Sequence, residues 1–470
     1  MSTRSNTIYD ISWPDLFPGL IILRTARLAL RPTVLLLASL GVTLSPLGWR
    51  CAEFCFLSGT PRSVASTPST ASATLSASAS STVTVDAEGR PIKIPHTKTL
   101  ADLVERNRRW PAMPAAMSAE SGFSLPDPRP WADPSRNPIV SCYHQFVTPL
   151  RVILNSSELP PRYLGYLMLG GLWSMTLWSL IAGTITRIAV VRLGLEEGTS
   201  LTAAFNFTTR RWRSHLLAPL LPLLGLALLT AIAYPLGLLM RWDGGAVLVS
   251  IIWIFVLLGG FLGALIAIGF ACGWPLMWPA ISAERNGDEF EALHRSLHYP
   301  LRHPARYLVY IALALVIGFL GDYVVQLLTQ ATVYLSDWAI ATGLPGERQQ
   351  ALFAQPGSTS ALANLSSDII QLTKRIPAII AIGFQYAFFW CAASAIYLTL
   401  RLDTDQAEFD QVVRDQPTTD HSLPALQTDS AGFQQLATDI KPGDSAKTES
   451  RTTPGESPDR RHEARSDGDV

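Results

Sequence analysis

The sequence predicts an all-α integral membrane protein of about six transmembrane helices, with short amphipathic interfacial helices, a disordered outer loop and a disordered C-terminal tail. Three observations carry that expectation. The first is composition: 470 residues with 48% hydrophobic and only 16% charged side chains hold more apolar surface than a soluble chain hides. The second is the recurrence of uncharged runs of about twenty residues or more, the length that crosses a ~30 Å hydrocarbon core. The third is that charge is confined to the segments between those runs. Formal net charge is zero, yet residues 402–470 hold fifteen acidic and seven basic side chains, leaving an excess of eight positives on the rest. That asymmetry suits a basic membrane body with an acidic soluble tail.

The chain divides into four parts. Residues 1–56 form a cytosolic N-terminus and a first anchor helix. Arg24, Arg27 and Arg31 precede the apolar stretch 32–49, which is too long for a signal-peptide core and lacks a cleavage site at the expected distance. Residues 57–138 form an extracytoplasmic loop. Residues 66–81 are almost entirely Ser, Ala and Thr, and the remainder is rich in Pro, Arg and Asp, so this loop buries too little apolar area to offset its conformational entropy. A small folded domain is the alternative, since Ile92, Ile94, Leu100, Leu103 and Val104 suit one short helix or strand. Residues 139–402 form a five-span membrane domain, with runs at 163–186, 216–240, 246–281, 307–328 and 376–400. The run at 246–281 exceeds one span, and Trp274-Pro275 or Trp278-Pro279 is the expected break, because proline removes a helical hydrogen bond. Residues 403–470 form an acidic disordered cytosolic tail, in which only 407–413 is able to extend the last helix.

Orientation follows from the short basic loops. Arg4, Arg24, Arg27 and Arg31 precede the first span. Arg187, Arg192, Arg210, Arg211 and Arg213 precede the third, and Arg285, Arg295, Arg302 and Arg306 the fifth. Six spans put all three groups on one side, whereas five or seven would scatter them. With an Arg- and Ala-rich bacterial composition, the expected location is the bacterial cytoplasmic membrane with both termini in the cytosol. Tyr163, Tyr166, Trp242, Trp274, Trp278, Tyr307, Tyr310, Tyr334 and Trp338 fall near span ends, where amphipathic rings prefer to sit.

Inside the membrane, Gly259, Gly263, Ala267 and Ala271 form a small-residue stripe at i, i+4 spacing, with Gly269 and Gly273 one face over. Small residues let two helix backbones approach closely, which predicts a packing seam within the chain or between copies. Ionisable residues within spans mark ion paths and substrate sites, and here they are scarce. Asp322, expected at the lipid interface, and mid-span Gln385 are the notable polar groups.

Chemistry motifs are lacking. The sequence has no Gly-rich phosphate loop, no His-Glu-x-x-His and no Gly-x-Ser-x-Gly. Glu291, His294 and His298, followed by His303, lie on one face of a short helix, and Glu-x-x-His is half of a di-iron carboxylate site. The other half is missing, so the segment reads as a solvated amphipathic helix, and no metal, cofactor or catalytic residue is assigned. Residues 202–210 lead through Arg213 and His215 into the third span. Residues 291–297 lead through Arg302, His303 and Arg306 into the fifth. Basic amphipathic helices lie in the headgroup plane and attract anionic lipid, which makes Arg210, Arg211, Arg213, Arg302 and Arg306 the expected headgroup contacts.

The stretch Arg187-Ile-Ala-Val-Val-Arg192 with Ala203 to Arg213, the stretch from Glu284 and Arg285 through Arg306 and Tyr307, and Ile396-Tyr397-Leu398 with Arg401 and Glu408 resemble an uncharacterised family of bacterial multi-pass membrane proteins. The helix before a span is distantly similar to the membrane domain of glycerophosphodiester phosphodiesterases. The resemblance covers about residues 140 to 410. It implies a helical membrane fold and supplies no catalytic residue, and the His and acid cluster of the phosphodiesterase catalytic domain is not evident. Cys51, Cys55 and Cys142 lie on the expected outer side, where a disulfide from Cys142 to either of the others is an option.

These readings point to a non-enzymatic membrane scaffold or lipid-interacting organiser. Its partners are the lipid bilayer with anionic headgroups, and a second copy or another membrane protein; no nucleic acid is expected. A transporter or channel component and a membrane-embedded lipid-processing enzyme are the alternatives. Alkaline phosphatase fused after residue 100 or 345 is expected to be active and after 200 or 290 inactive. Active fusions at 200 or 290 would refute the six-span orientation.

Overall fold

The computed structural model describes residues 18–58, 103, 104, 107, 137–155, 159–345, 361–413, 426–428 and 434–436. The chain falls into two units, Met1–Val413 and Arg414–Val470. The second unit contributes one antiparallel pair, β1 (Leu426–Thr428) with β2 (Gln434–Leu436), in which Leu426 faces Leu436. The rest of the tail expected to be disordered, and most of the loop 57–138, lie outside the described residues.

The first unit is helical. It runs through α1 (Ile21–Ala29), α2 (Pro32–Leu57), α3 (Pro138–Asn155), α4 (Pro161–Gly194), α5 (Leu201–Arg210) and α6 (Trp212–Leu239). It continues through α7 (Asp243–Ile251), α8 (Trp253–Ala283), α9 (Glu289–Arg302), α10 (Pro304–Ala341) and α11 (Ala361–Asp405). Six of these, α2, α4, α6, α8, α10 and α11, are long and apolar enough to cross a membrane, and each holds most of one expected span. The chain is a helical membrane protein.

α11 is the axis of the bundle. Its apolar length is almost wholly enclosed, against α2, α4, α10, α8 and α3. α6 and the first two-thirds of α8 are the opposite case, exposing Leu224, Leu228, Ile254, Phe255, Phe261 and Leu265. Their apolar faces suit lipid and would not suit water. α10 and α11, at 38 and 45 residues, exceed the hydrocarbon thickness. Their far ends are joined by a Lys374–Asp337 ion pair of 2.6 Å.

The long apolar run breaks at a different place from the one the prolines suggested. The interruption is at Ile252, between α7 and α8, while Pro275 and Pro279 sit inside α8. A proline inside a helix in lipid is better tolerated where the carbonyl it frees finds another donor. Pro275 frees the carbonyl of Ala271, which accepts from the Tyr143 hydroxyl at 3.0 Å. Pro219 in α6 frees that of His215, which accepts from Trp278 Nε1 at 2.6 Å. At these two positions an aromatic side chain replaces the missing bond.

Trp274 and Trp278 therefore belong to the core rather than to an interfacial belt. Trp278 stacks on Trp390 at 4.4 Å between centroids and Trp178 on Tyr386 at 4.5 Å, with Phe146 packed against Trp178, Trp274, Tyr386 and Trp390. Phe146 belongs to α3, a helix absent from the expected spans because His144, Gln145 and Arg151 interrupt its apolar pattern. α3 starts deep in the bundle, where Asn137 caps the N–H of Ile139 and donates to the Leu315 carbonyl at 2.9 Å. It runs to Val152, which packs with Trp49, Leu57 and Tyr166 at the far ends of α2 and α4. Leu103 joins that cluster, and Asn107 donates to the Tyr166 hydroxyl at 3.2 Å, so the long loop returns to the bundle there. Cys142 is buried in α3 while Cys51 and Cys55 are exposed on α2, and all five thiols are free, which removes the disulfide option.

Close small-residue packing joins α2 and α4. A Cβ at Gly170 would lie 2.2 Å from the Trp49 ring, and one at Gly48 would lie 2.0 Å from Trp173, a reciprocal pair of indoles seated on glycines. A Cβ at neighbouring Gly171 would meet nothing within 4 Å. Gly170→Ala must displace a rigid ring and is expected to destabilise by about 1–3 kcal/mol. Gly171→Ala, with only the helix propensity gain, should be neutral or stabilising by up to ~1 kcal/mol. Thermal unfolding of both variants in one detergent checks the pair, and equal melting temperatures would refute this packing.

Candidate functional site at the arginine-rich end

Three ion-pair and hydrogen-bond links bring the short helices to one end of the bundle. Arg24 of α1 meets Glu196, just after α4, at 2.5 Å. Arg211, between α5 and α6, donates to the carbonyls of Ile281, Glu284 and Arg285 at the end of α8. Arg306 of α10 meets Asp403 of α11 at 2.6 Å, and the same carboxylate accepts from the Tyr310 hydroxyl at 2.8 Å. α1 and α5 are thereby fixed at the bundle end where α9 joins α8 to α10, and these three short helices are here called the collar. α5 is started by Ser200, whose hydroxyl accepts from the Ala203 N–H, and α9 by Asp288, whose carboxylate accepts from the Glu291 N–H.

At the centre of this end lies Glu284, the 6% exposed residue that follows α8. One oxygen of its carboxylate accepts from Tyr397 at 2.8 Å and from Arg401 Nε at 2.9 Å, and lies 3.3 Å from Arg295. Arg295 also reaches Glu291, the Tyr299 hydroxyl and Asp405. Tyr299 donates to Asp405 at 2.5 Å. Burial, and then that hydrogen bond, push the Tyr299 phenol above its ordinary pKa, so it stays a donor. The network ties α8, α9 and α11 together through charges that are mostly removed from water.

Beside it, Arg187 of α4 is 1% exposed. Its guanidinium lies 4.0 Å from the Phe207 ring centroid, donating to the Ser282 carbonyl at 2.7 Å and to the Val413 carbonyl at 2.6 Å. Arg211 covers the same ring at 4.5 Å. The Val413 contact marks a departure from expectation, since residues 407–413 do not prolong α11. The helix stops at Asp405, Gln406 turns into the left-handed region at φ 55°, and the strand of chain beyond folds back over the bundle end. Arg401 holds it through the Gln411 carbonyl at 2.9 Å, and its Val413 N–H donates to Ala283 at 3.2 Å. These carbonyl contacts outcompete a further helical turn.

The expected headgroup contacts separate into two groups. Arg211 is turned inward and Arg306 is paired with Asp403, whereas Arg210, Arg213 and Arg302 are exposed without a partner among the described residues. Next to them the collar exposes apolar side chains, Leu201 and Phe205 of α5, Trp212 of α6, and Phe290 and Leu301 of α9. His294 and His298 stack on the outward face of α9 at 5.4 Å, while Glu291 is occupied by Arg295. No group of three metal-ligating side chains occurs among the described residues.

Within the bundle, Asp322 is 4% exposed rather than at the lipid interface, and it accepts from Gln385 at 3.1 Å. The two polar residues singled out by sequence thus meet in the middle of α10 and α11. Of the small-residue stripe, Gly263 faces Leu226 and Leu229 of α6 at ordinary contact distance, and Gly259 faces open space. The tighter approach is Gly273, where a Cβ would lie 2.8 Å from the Ser296 carbonyl, the group freed by Pro300. Sequence reasoning missed Glu284, Tyr397 and Arg401 as a site; the signal was an acid at a span end among arginines.

No family model, curated protein or solved structure matches this chain.

Removing one partner of a buried ion pair leaves the other uncompensated, at a cost of about 3–5 kcal/mol. Glu284→Gln should therefore lower the melting temperature in detergent markedly, and pairing it with Arg401→Met should recover part of the loss. Strict additivity of the two substitutions would show that they are not coupled.

Proposed function

We propose that this protein is a non-enzymatic organiser of lipid, using the collar of α1, α5 and α9 on the cytosolic leaflet of a bacterial cytoplasmic membrane. The observation that carries the reading is that arginines with no partner among the described residues and large apolar side chains are exposed together at this end of the bundle. Arg210, Arg213 and Arg302 stand beside Phe205, Trp212, Phe290 and Leu301. Such a surface immerses its apolar groups at the acyl boundary and places guanidinium groups at phosphate level. Anionic lipid adds attraction of about 1 kcal/mol for each basic residue near the surface. The excess of arginine at this end supports its cytosolic placement, and both termini with it.

A transporter reading would make Asp322 an ion site. Against it, that carboxylate is already engaged by Gln385 and sits behind the aromatic core, which suits a polar pin between α10 and α11. The exposed collar carries the lipid reading without help from this pair.

In nanodiscs or detergent, phosphatidylglycerol is expected to raise the melting temperature more than phosphatidylcholine does, with the difference shrinking as salt is added. A triple variant, Arg210→Gln, Arg213→Gln and Arg302→Gln, should lose that preference while still folding, since none of the three has a partner among the described residues. An unchanged preference in the triple variant would overturn the proposal.

A further inference from the structure

A cavity of about 200 Å³ lies between α3, α6 and α8, away from the collar. Its walls include Leu150, Leu223, Leu226, Ile266 and Ala267, with Phe270 buried behind them. Arg151 is the one charged residue in its lining, and it is exposed with no partner among the described residues. The level of Arg151 follows from its neighbours. Val152 packs with Trp49, Leu57 and Tyr166 at the far ends of α2 and α4, whereas Phe146 lies among the core tryptophans. From Leu154 to Val147 the cavity follows α3 inward over about 10 Å, seven residues at the helical rise.

A guanidinium at the edge of hydrocarbon is costly unless it reaches an anion. The walls offer it none, and they are apolar where an acyl chain would run. We infer that this cleft binds one phospholipid in the leaflet opposite the collar, with its phosphate on Arg151 and one acyl chain along α3 between α6 and α8. Guanidinium and phosphate form a bidentate, charge-assisted pair. The chain fills space that the side chains leave open. A free phosphate ion is the wrong ligand, because the cleft has a single cation and otherwise only hydrocarbon. A diacylglycerol is also wrong, as it leaves Arg151 unmatched. The site stands apart from the collar in both position and residues.

Native mass spectrometry of the full chain in mild detergent, titrated with dioleoylphosphatidylglycerol, tests this. The wild type is expected to retain one lipid that Arg151→Gln binds about tenfold more weakly, and that Leu226→Trp excludes by filling the cleft. Dioleoylglycerol and inorganic phosphate should each bind at least tenfold more weakly than the phospholipid. Ala267→Leu narrows the same cleft with less bulk and serves if Leu226→Trp lowers the melting temperature without lipid. The collar triple variant should keep this lipid, so failure of the collar reading and failure of this one are distinguishable. Wild-type retention in both Arg151→Gln and a folded cleft-filling variant would overturn the inference, as would phosphate alone binding as tightly as the phospholipid.

Discussion

Inside a bilayer a polar group has no water to turn to, so every backbone or side-chain dipole that leaves its usual partner must be met from within the protein. The bundle meets that constraint at two of its prolines and at one side-chain pair, although among the described residues Trp274 Nε1 and Trp390 Nε1 in its core find no acceptor. Pro219 and Pro275 each strand a carbonyl in a spanning helix, and each carbonyl is taken by an aromatic donor from another helix, Trp278 and Tyr143. Those bonds also fix which faces of α3, α6 and α8 meet, because an indole N–H reaches a carbonyl from one direction only. The prolines thus act as docking points, and the tryptophan-rich core grows from them. Asp322 and Gln385 obey the same rule at the level of side chains, each satisfying the other where α10 crosses α11.

Much of this fold was legible in sequence, and what escaped it follows one pattern. Span number and position come from the uncharged runs, whose lengths are set by the membrane and not by the neighbours. α3 was hidden because its register is decided by tertiary partners. His144, Gln145 and Arg151 look unsuited to a membrane until Phe146 is seen among four rings and Arg151 at a boundary. The run at 246–281 misled because proline was judged as a breaker in isolation, without the donors that supply its missing bond. The composition of residues 407–413 suits an extension of the last helix, whereas the guanidinium groups of Arg187 and Arg401 capture the Val413 and Gln411 carbonyls and hold the segment back against the bundle. In each case a contact distant in sequence overrode a local preference.

The collar shows the same separation between type and partner. Its basic character is plain from Arg210, Arg211, Arg213, Arg302 and Arg306, since charges cluster where spans end. Which of them faces lipid is not a property of the segment. Arg211 is drawn in by three carbonyls at the end of α8 and by the Phe207 ring, and Arg306 by Asp403, while their neighbours point away. Glu284 is the clearest instance. As one acid among many basic residues it reads as charge balance, yet its position at the end of α8 lets it gather Arg295, Tyr397 and Arg401 from two other helices.

Packing is graded across the molecule, and the gradient has a functional direction. α11 is enclosed by the other helices, and the end carrying Glu284 is locked by ion pairs and by the returning segment at 406–413. α6, α7 and the first part of α8 form a hairpin with few protein neighbours, whose side chains are large, apolar and turned outward. A rigid centre of this kind would hold the collar arginines in fixed relation, as the proposed recognition of phosphate requires. The open hairpin must take its own packing from lipid. Beside it, α6 and α8 line a cleft with α3, and there Arg151 supplies the charge that the inferred lipid phosphate would meet.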